Sequence, residues 1–487
     1  MRNSDACFIG IDIGTQGERA ILADVRGNVL GSREESFPLS AQSREEQSPV
    51  AWWETCCRLL QQLLADVTGK ADLRQVKAIA VTSTSGTIVP IDSNYQPLHN
   101  ALMYSDGRQA AAGKACREAA LAYNPNGYTA FNASSGLAKM LWFVQQYPHK
   151  AAQLYKFIHA ADFITGRLCG RYNTTDLTNA LKSGYDVGQQ CWPAYIWQQL
   201  PLQRSWLQDV VPSGTPLGNL HPALAAAWGL PAQVPVVAGM TDGCASQIAS
   251  GAVKPGDWNT TIGTTLVIKG VTTAPVHDPE GRLYSHRHPE GYWMPGGASN
   301  TGADWVTRYF RENLVALETQ AAALIPTPYL SWPLLQEGER FPFIAPQARG
   351  FEAPGLTPAQ RFAAGMEGVA YIERYAYDVI RGLSGEPVKA VYTAGGGSNS
   401  ATWLTIRSNV LNLPLYKMKE VTGAMGAAIL AASKTCFSNI MEAAAAMTQP
   451  EKQVQPAPAL AAAYEQNYQA FIQTLKQKGY LPDQAYA

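Results

Sequence analysis

The sequence predicts an α/β protein of two domains, and three observations predict it. Short apolar strands end in glycine turns and lead into amphipathic helices, the layered arrangement of α/β folds. That rhythm starts twice, once at Cys7 and again after the proline-rich stretch around Pro231 and Pro235. The chain has 487 residues, too many for one ordinary core but suited to two large α/β domains. The boundary is expected near residue 245, giving domains 1–245 and 246–487, with terminal helices from about residue 457.

Each element has a local reason. Cys7–Ile13 reads as a buried strand broken at Gly14, and Ala20–Ala23 with Val29–Arg33 as a hairpin turning at Asp24–Asn28. Ser48 caps the next helix and Pro49 is its first residue; Trp53, Cys56, Leu60, Leu63, Leu64 and Val67 then recur at helical spacing. Val76–Val81 and Ile88–Ile91 are short strands around a Thr/Ser/Gly loop. In the second half Val234–Ala238 is a strand, Cys244–Ser250 a short helix, and Trp258–Ile262 with Leu266–Lys269 a strand pair bent at Gly263. Ala390–Ala394 is a strand ending in three glycines before a helix through Trp403–Leu411. Val421–Ser433 is a small-residue helix, and Ala457–Lys478 a terminal helix or helix pair.

Composition narrows the function classes. Lys plus Arg and Asp plus Glu both number 38, so no broad cationic field exists for nucleic acid or anionic membrane. No apolar run approaches the roughly 18 residues of a membrane span, and the N-terminal stretch lacks a signal-peptide core. Eight cysteines without a CxxC pair point to a reduced, cytoplasmic setting. His286 and His288 lie close together, but no nearby pattern completes a metal site, and they read as loop histidines.

Four motifs carry chemistry. Gly10–Gly17 brings Asp12 to a strand end beside a tight turn whose amides can face an anion; a carboxylate there suits a largely hydrated Mg²⁺, and Thr15 adds a hydroxyl. The same residues also fit a plain strand-ending turn. Gly263-Thr264-Thr265 repeats the Gly-Thr turn in the second half. Gly395, Gly396, Gly397 and Ser398 sit between a strand and a helix, where consecutive glycines permit close approach to a flat ligand or phosphate. Trp403 beyond them suits either an adenine cover or a buried helix ring. Asp242, in Gly239–Ala245, fits a helix cap or a base that accepts a proton from a hydroxyl.

Together the four motifs resemble the FGGY carbohydrate kinases over nearly the whole chain. The resemblance implies two ribonuclease-H-like (actin-like ATPase) domains flanking a catalytic cleft. It implies transfer of the γ-phosphate of Mg·ATP to a terminal hydroxyl of a small sugar. Asp12 would hold the metal, and Gly14 and Thr15 the first phosphate site. Gly263, Thr264 and Thr265 would form the second phosphate site, Gly395–Ser398 with Trp403 the adenosine site, and Asp242 the catalytic base. Further matches are Trp52-Trp53 after Glu46-Gln47-Ser48-Pro49, Lys139-Met140-Leu141-Trp142, and Gly365-Met366-Glu367-Gly368. ATP and a sugar are the expected partners, with a homodimer implied at the level of the family alone.

The sugar loop departs from the xylulokinase pattern. Where those kinases carry Gln-Met-His-Gly, this chain has Thr84, Ser85 and Gly86, with Ser85 in the histidine's place. That version looks like ribulose kinases, so D-ribulose is the expected substrate and D-xylulose the alternative. Tyr104-Ser105-Asp106-Gly107-Arg108 resembles the family's Trp-x-Asp-x-Arg segment; Tyr104 keeps a flat surface, and Asp106 either meets sugar or braces Arg108. Ser400 replaces the family's usual Asn before the helix tryptophan. More remote readings are an actin- or Hsp70-like ATPase and a silent sugar sensor. Neither needs both Asp242 and a polar loop at Thr82–Thr87.

Overall fold

The computed structural model describes residues 5–125 and 127–482, and the chain forms two compact units. The first comprises residues 1–249, 286–291 and 420–448; the second comprises 250–285, 292–419 and 449–487. Within the described residues, no helix is long and apolar enough to cross a membrane.

The first unit is built on a mixed sheet of β1 (Cys7–Gly14), β2 (Gly17–Asp24), β3 (Val29–Ser36), β4 (Val76–Ser83), β5 (Pro216–Asn219) and β6 (Pro235–Thr241). Their order across the sheet is β5-β6-β4-β1-β2-β3. β1, β2 and β3 run antiparallel, whereas β4 lies parallel to both β1 and β6. Cys7, Ile9, Ile11 and Ile13 join Ile79 and Val81 in the core beneath the Pro49–Val67 helix. Ser48 caps that helix through Ala51 N–H and Pro49 opens it, as the sequence indicates. Its buried tryptophan is Trp52 rather than Trp53. Trp52 stands in line with Cys56, Leu59, Leu60, Leu63 and Val67, while Trp53 falls at the edge of that stripe and is half-buried.

The Gly423–Ser433 helix packs on the first sheet although it comes late in the chain. A β-carbon on Gly10 would lie 1.9 Å from the Ala424 carbonyl oxygen, and one on Gly426 would lie 2.0 Å from that of Ala245. Glycine is therefore required at both contacts for the backbones to meet. The small residues of this helix let it pack closely on β1 and on the Asp242–Ala249 helix.

The second unit repeats the plan with β7 (Asp257–Ile262), β8 (Leu266–Gly270), β9 (Trp293–Ser299), β10 (Ala390–Ala394), β11 (Leu415–Met418) and β12 (Pro450–Val454). They run β9-β8-β7-β10-β11-β12, with β7, β10 and β11 parallel and the remaining pairs antiparallel. Three antiparallel strands, two more parallel strands and an antiparallel edge are thus common to both units. The ribonuclease-H-like plan is present twice. The terminal segment is one helix, Pro458–Gln477, whose Tyr464 hydroxyl donates to Glu367 at 2.9 Å.

A fully buried ion pair braces the second unit. Arg407 Nε and Nη2 donate to Glu373 at 2.7 and 2.8 Å, and Nη1 donates to Thr393 Oγ1 at 2.6 Å. Both side chains are 0% exposed. Arg407→Met should cost about 3–5 kcal/mol, because it strands the Glu373 charge without a partner. Urea unfolding checks this, and the Arg407→Met, Glu373→Leu double variant should recover much of the loss.

Candidate active site

Three neighbouring parallel strands deliver the key residues of the first unit to one edge. Asp12 pairs with Thr82 across β1 and β4, and Thr241 pairs with Ser83 across β6 and β4. Asp12, the Thr84–Thr87 loop and Asp242 therefore emerge together at the carboxyl ends of the strands, where α/β sheets hold ligands. A cavity of about 490 Å³ opens there, lined by Asp12, Gly14, Thr15, Gln16, Thr84, Tyr104, Asp242 and Gly423, among others. Asp242 is the first residue of the Asp242–Ala249 helix, and its Oδ1 accepts from Gly243 N–H at 2.6 Å. The helix expected from Cys244 thus starts two residues earlier, and Asp242 is both a helix-terminal and a cavity residue.

The electrostatics centre on Asp12. Burial, reinforced by the charge of Asp242, pushes its carboxyl up to about 7, against a smaller opposing pull from Arg19. Asp12 Oδ1 and Thr15 Oγ1 are buried without a hydrogen-bond partner. A cation between the two carboxylates would turn their repulsion into attraction and take up the orphaned oxygens. Among the described residues no three His, Cys, Asp or Glu side chains converge as a cage. The oxygen donors of Asp12, Thr15 and Asp242 suit a hard cation such as Mg²⁺.

The sugar-loop residues divide into cavity and support. Thr84 Oγ1 meets Thr87 Oγ1 at 2.7 Å, and Thr87 Oγ1 accepts from Tyr104 N–H at 3.2 Å, so the two loops are tied. Thr84 and Tyr104 line the cavity, and the half-buried Ser85 keeps its Oγ without a hydrogen-bond partner. Asp106 is 1% exposed and receives Arg108 Nε at 2.9 Å and Gln109 Nε2 at 2.6 Å. Burial alone would raise its carboxyl, but the bonds from Arg108 and Gln109 outweigh burial and hold it low. Asp106 is placed as a brace for Arg108. Lys139 completes the support, donating to Gln109 Oε1 at 3.2 Å and the Ala133 carbonyl at 2.6 Å.

In the second unit Gly263–Thr265 and Gly395–Ser398 also share one sheet edge, since Thr261 pairs with Ala394 across β7 and β10. Gly263 N–H donates to the Thr265 carbonyl at 3.0 Å, closing the turn. Gly395 adopts φ +83°, and a β-carbon on it would meet the Ile262 carbonyl oxygen at 2.5 Å. Ser398 Oγ donates to the Gly395 carbonyl at 2.7 Å. Trp403 is 3% exposed, with its indole N–H on the Met366 carbonyl at 3.0 Å, so the ring belongs to the core. Glu318 accepts from Ser400 Oγ at 2.8 Å and Thr402 N–H at 3.2 Å, placing a carboxylate at the start of the Ala401–Leu411 helix.

Sequence reasoning missed several cavity residues, notably Gln16, Glu18, Arg19, Glu34, Glu35 and Thr422. Glu18 stands between Gly17 and Arg19 at the start of β2, where no local pattern marks it. One other constellation has the form of a nucleophilic triad. Ser183 Oγ lies 2.8 Å from His159 Nε2, and His159 Nδ1 lies 2.9 Å from Asp162 Oδ2. Ser183 is 0% exposed, and the Gly136 backbone presses against its hydroxyl, so no substrate reaches it.

The fold has counterparts among known proteins. Residues 7–249 match the model of the FGGY family of carbohydrate kinases, N-terminal domain, and residues 258–435 match its C-terminal domain. A xylulose kinase of Escherichia coli (strain K12) is 27% identical over 452 residues, covering 87% of this chain and 89% of that protein. A gluconokinase of Bacillus licheniformis is 24% identical over 456 residues, covering 87% and 86% respectively. The crystal structure of a xyloylose kinase from Brucella ovis superposes with a TM-score of 0.87 at 24% identity, covering 98% of this chain and 100% of that one.

Proposed function

We propose that this chain, which belongs to the FGGY family of carbohydrate kinases, phosphorylates a terminal hydroxyl of a pentulose, D-ribulose foremost. One observation carries the reading: Asp12 and Asp242 line a single cavity with the Gly14–Gly17 turn on one side and the hydroxyl-bearing Thr84–Tyr104 wall on another. Asp242 accepts the proton of the sugar hydroxyl as its oxygen bonds the γ-phosphorus and the bond to ADP breaks. A loose transition state asks mainly for alignment and charge neutralisation, so an ordinary carboxylate serves as base. Asp12 would hold Mg²⁺, which would supply the charge neutralisation when bound. The Gly14–Thr15 turn and the second unit's Gly263–Thr265 turn hold phosphates, and Gly395–Ser398 takes the adenosine.

The preference for D-ribulose rests on Ser85 and Thr84, whose hydroxyls both donate to and accept from sugar hydroxyls. The xylulose kinases among the relatives favour D-xylulose as the second reading. A homodimer in the cytoplasm, supported by the family resemblance, completes the proposal, and light scattering checks the dimer.

The test is Mg·ATP-dependent ADP release with D-ribulose, D-xylulose, gluconate, glycerol or no sugar. The greatest stimulation is expected with D-ribulose; a greater one with D-xylulose would replace the substrate, and none with any sugar would end the kinase reading. Ser85→Ala should raise the sugar KM about fivefold, the size of one modest hydrogen bond, and leave the ATP KM unchanged. An unaltered sugar KM would take Ser85 out of the sugar site.

A further inference from the structure

The segment Ser43–Gln47 touches the phosphate turn at one point. Gln47 is 9% exposed, and its Nε2 donates to the Thr15 carbonyl at 2.9 Å and the Ser43 carbonyl at 3.0 Å. Its Oε1 accepts from the indole N–H of Trp52 at 2.9 Å. An indole N–H can only donate, so Trp52 fixes which end of the amide faces Thr15. The next carbonyl of the turn, that of Gln16, accepts from Phe37 N–H at 2.8 Å. In a trans peptide the C=O and the following N–H point in opposite directions. Drawing the Thr15 carbonyl towards Gln47 therefore turns the Gln16 N–H the other way. Gly14, Thr15 and Gln16 all line the cavity.

We propose that Gln47 is a positioning residue for phosphoryl transfer: locked by Trp52, it pins the Thr15 carbonyl and so aims the Gln16 amide at a nucleotide phosphate. This rests on the kinase reading above. A buried leucine would fill the same space without three hydrogen bonds to satisfy, and it would leave the Thr15–Gln16 peptide free to rotate. The Trp52 ring explains itself on the same terms. Its apolar body joins the stripe of the Pro49–Val67 helix, while its one polar atom sets the Gln47 amide.

The test compares binding of Mg·ADP to wild type, Gln47→Glu and Trp52→Phe by calorimetry at pH 6 and pH 8. The carboxylate that Gln47→Glu introduces has no proton to give Thr15 when ionised, whereas its protonated form does. The ratio of variant to wild-type Kd should be about tenfold at pH 8 for Gln47→Glu and smaller at pH 6, because burial against the Thr15 and Ser43 carbonyls raises the new carboxyl and more of it is protonated there. Comparing ratios removes the pH dependence that wild type itself owes to Asp12. Trp52→Phe leaves Gln47 in place but unlocked, and should weaken Mg·ADP about threefold by a ratio that pH does not change. The sugar KM should stay constant in both variants. Equal Mg·ADP binding by Gln47→Glu and wild type at pH 8 would overturn the proposal. So would parallel losses of nucleotide and sugar affinity at both pH values, the mark of a merely structural role. Wild type that binds no Mg·ADP would overturn the kinase reading itself, a separate result.

Discussion

Asp242→Asn is expected to lower sugar-dependent turnover by about 10²–10⁴-fold, the usual loss when a positioned base is removed. The substitution is close to isosteric, and its remaining oxygen still accepts the Gly243 N–H that orients the native carboxylate. The fold should therefore survive, and the KM values for sugar and ATP should move little. A second consequence follows from the neighbour. Asp242 adds to the forces that hold the Asp12 proton, so neutralising it should let Asp12 ionise at lower pH. Steady-state kinetics and a pH profile measure both. Turnover within threefold of wild type would remove Asp242 from the role of base.

Asp12→Asn is the complementary case, because it should cost activity and add stability. The folded-state carboxyl sits near 7, above its ordinary 3.8, so the folded protein retains a proton that the unfolded chain gives up. Below about pH 4 both states are protonated and no penalty exists. As pH rises towards 7 the unfolded chain ionises first, and stability falls. Above 7 the full penalty remains, roughly 4 kcal/mol at about 1.4 kcal/mol per pH unit. Asparagine carries no such charge, so the variant should be more stable than wild type at pH 8 and level with it near pH 4. Added Mg²⁺ should raise the wild-type Tm at pH 8 and leave that of the variant unchanged. Scanning calorimetry with and without Mg²⁺ measures these differences. A variant no more stable at pH 8 would show that Asp12 is not under electrostatic strain.

The elements with local causes are legible in the chain. β1 ends one residue beyond its sequence reading, β10 runs from Ala390 to Ala394 as expected, and Ser48-Pro49 opens its helix as read. Trp52 and Trp53 exchange places between sequence and structure because adjacent residues lie about 100° apart on a helix. Which one faces inward depends on where the sheet lies. Asp12, Gly14, Thr15 and Asp242, which strand ends and glycine turns mark in the sequence, all line the cavity. Gln47 is not so marked, since its role is a contact with a carbonyl 32 residues earlier in the chain. The sequence offers Asp106 equally as a sugar contact and as a brace for Arg108, and the bonds from Arg108 and Gln109 favour the brace.

The chain leaves the first unit after residue 249, touches it again at 286–291, and returns to complete it at 420–448. Gly10, on the first strand, rests against Ala424. A ribosome must therefore synthesise more than four hundred further residues before that strand meets its covering helix. Until then one face of the first sheet is exposed and apolar, the kind of surface that aggregates or recruits chaperones. The same connection makes the first unit a poor fragment to express alone. Its natural boundary is spatial, and a cut at residue 249 removes part of its own interior.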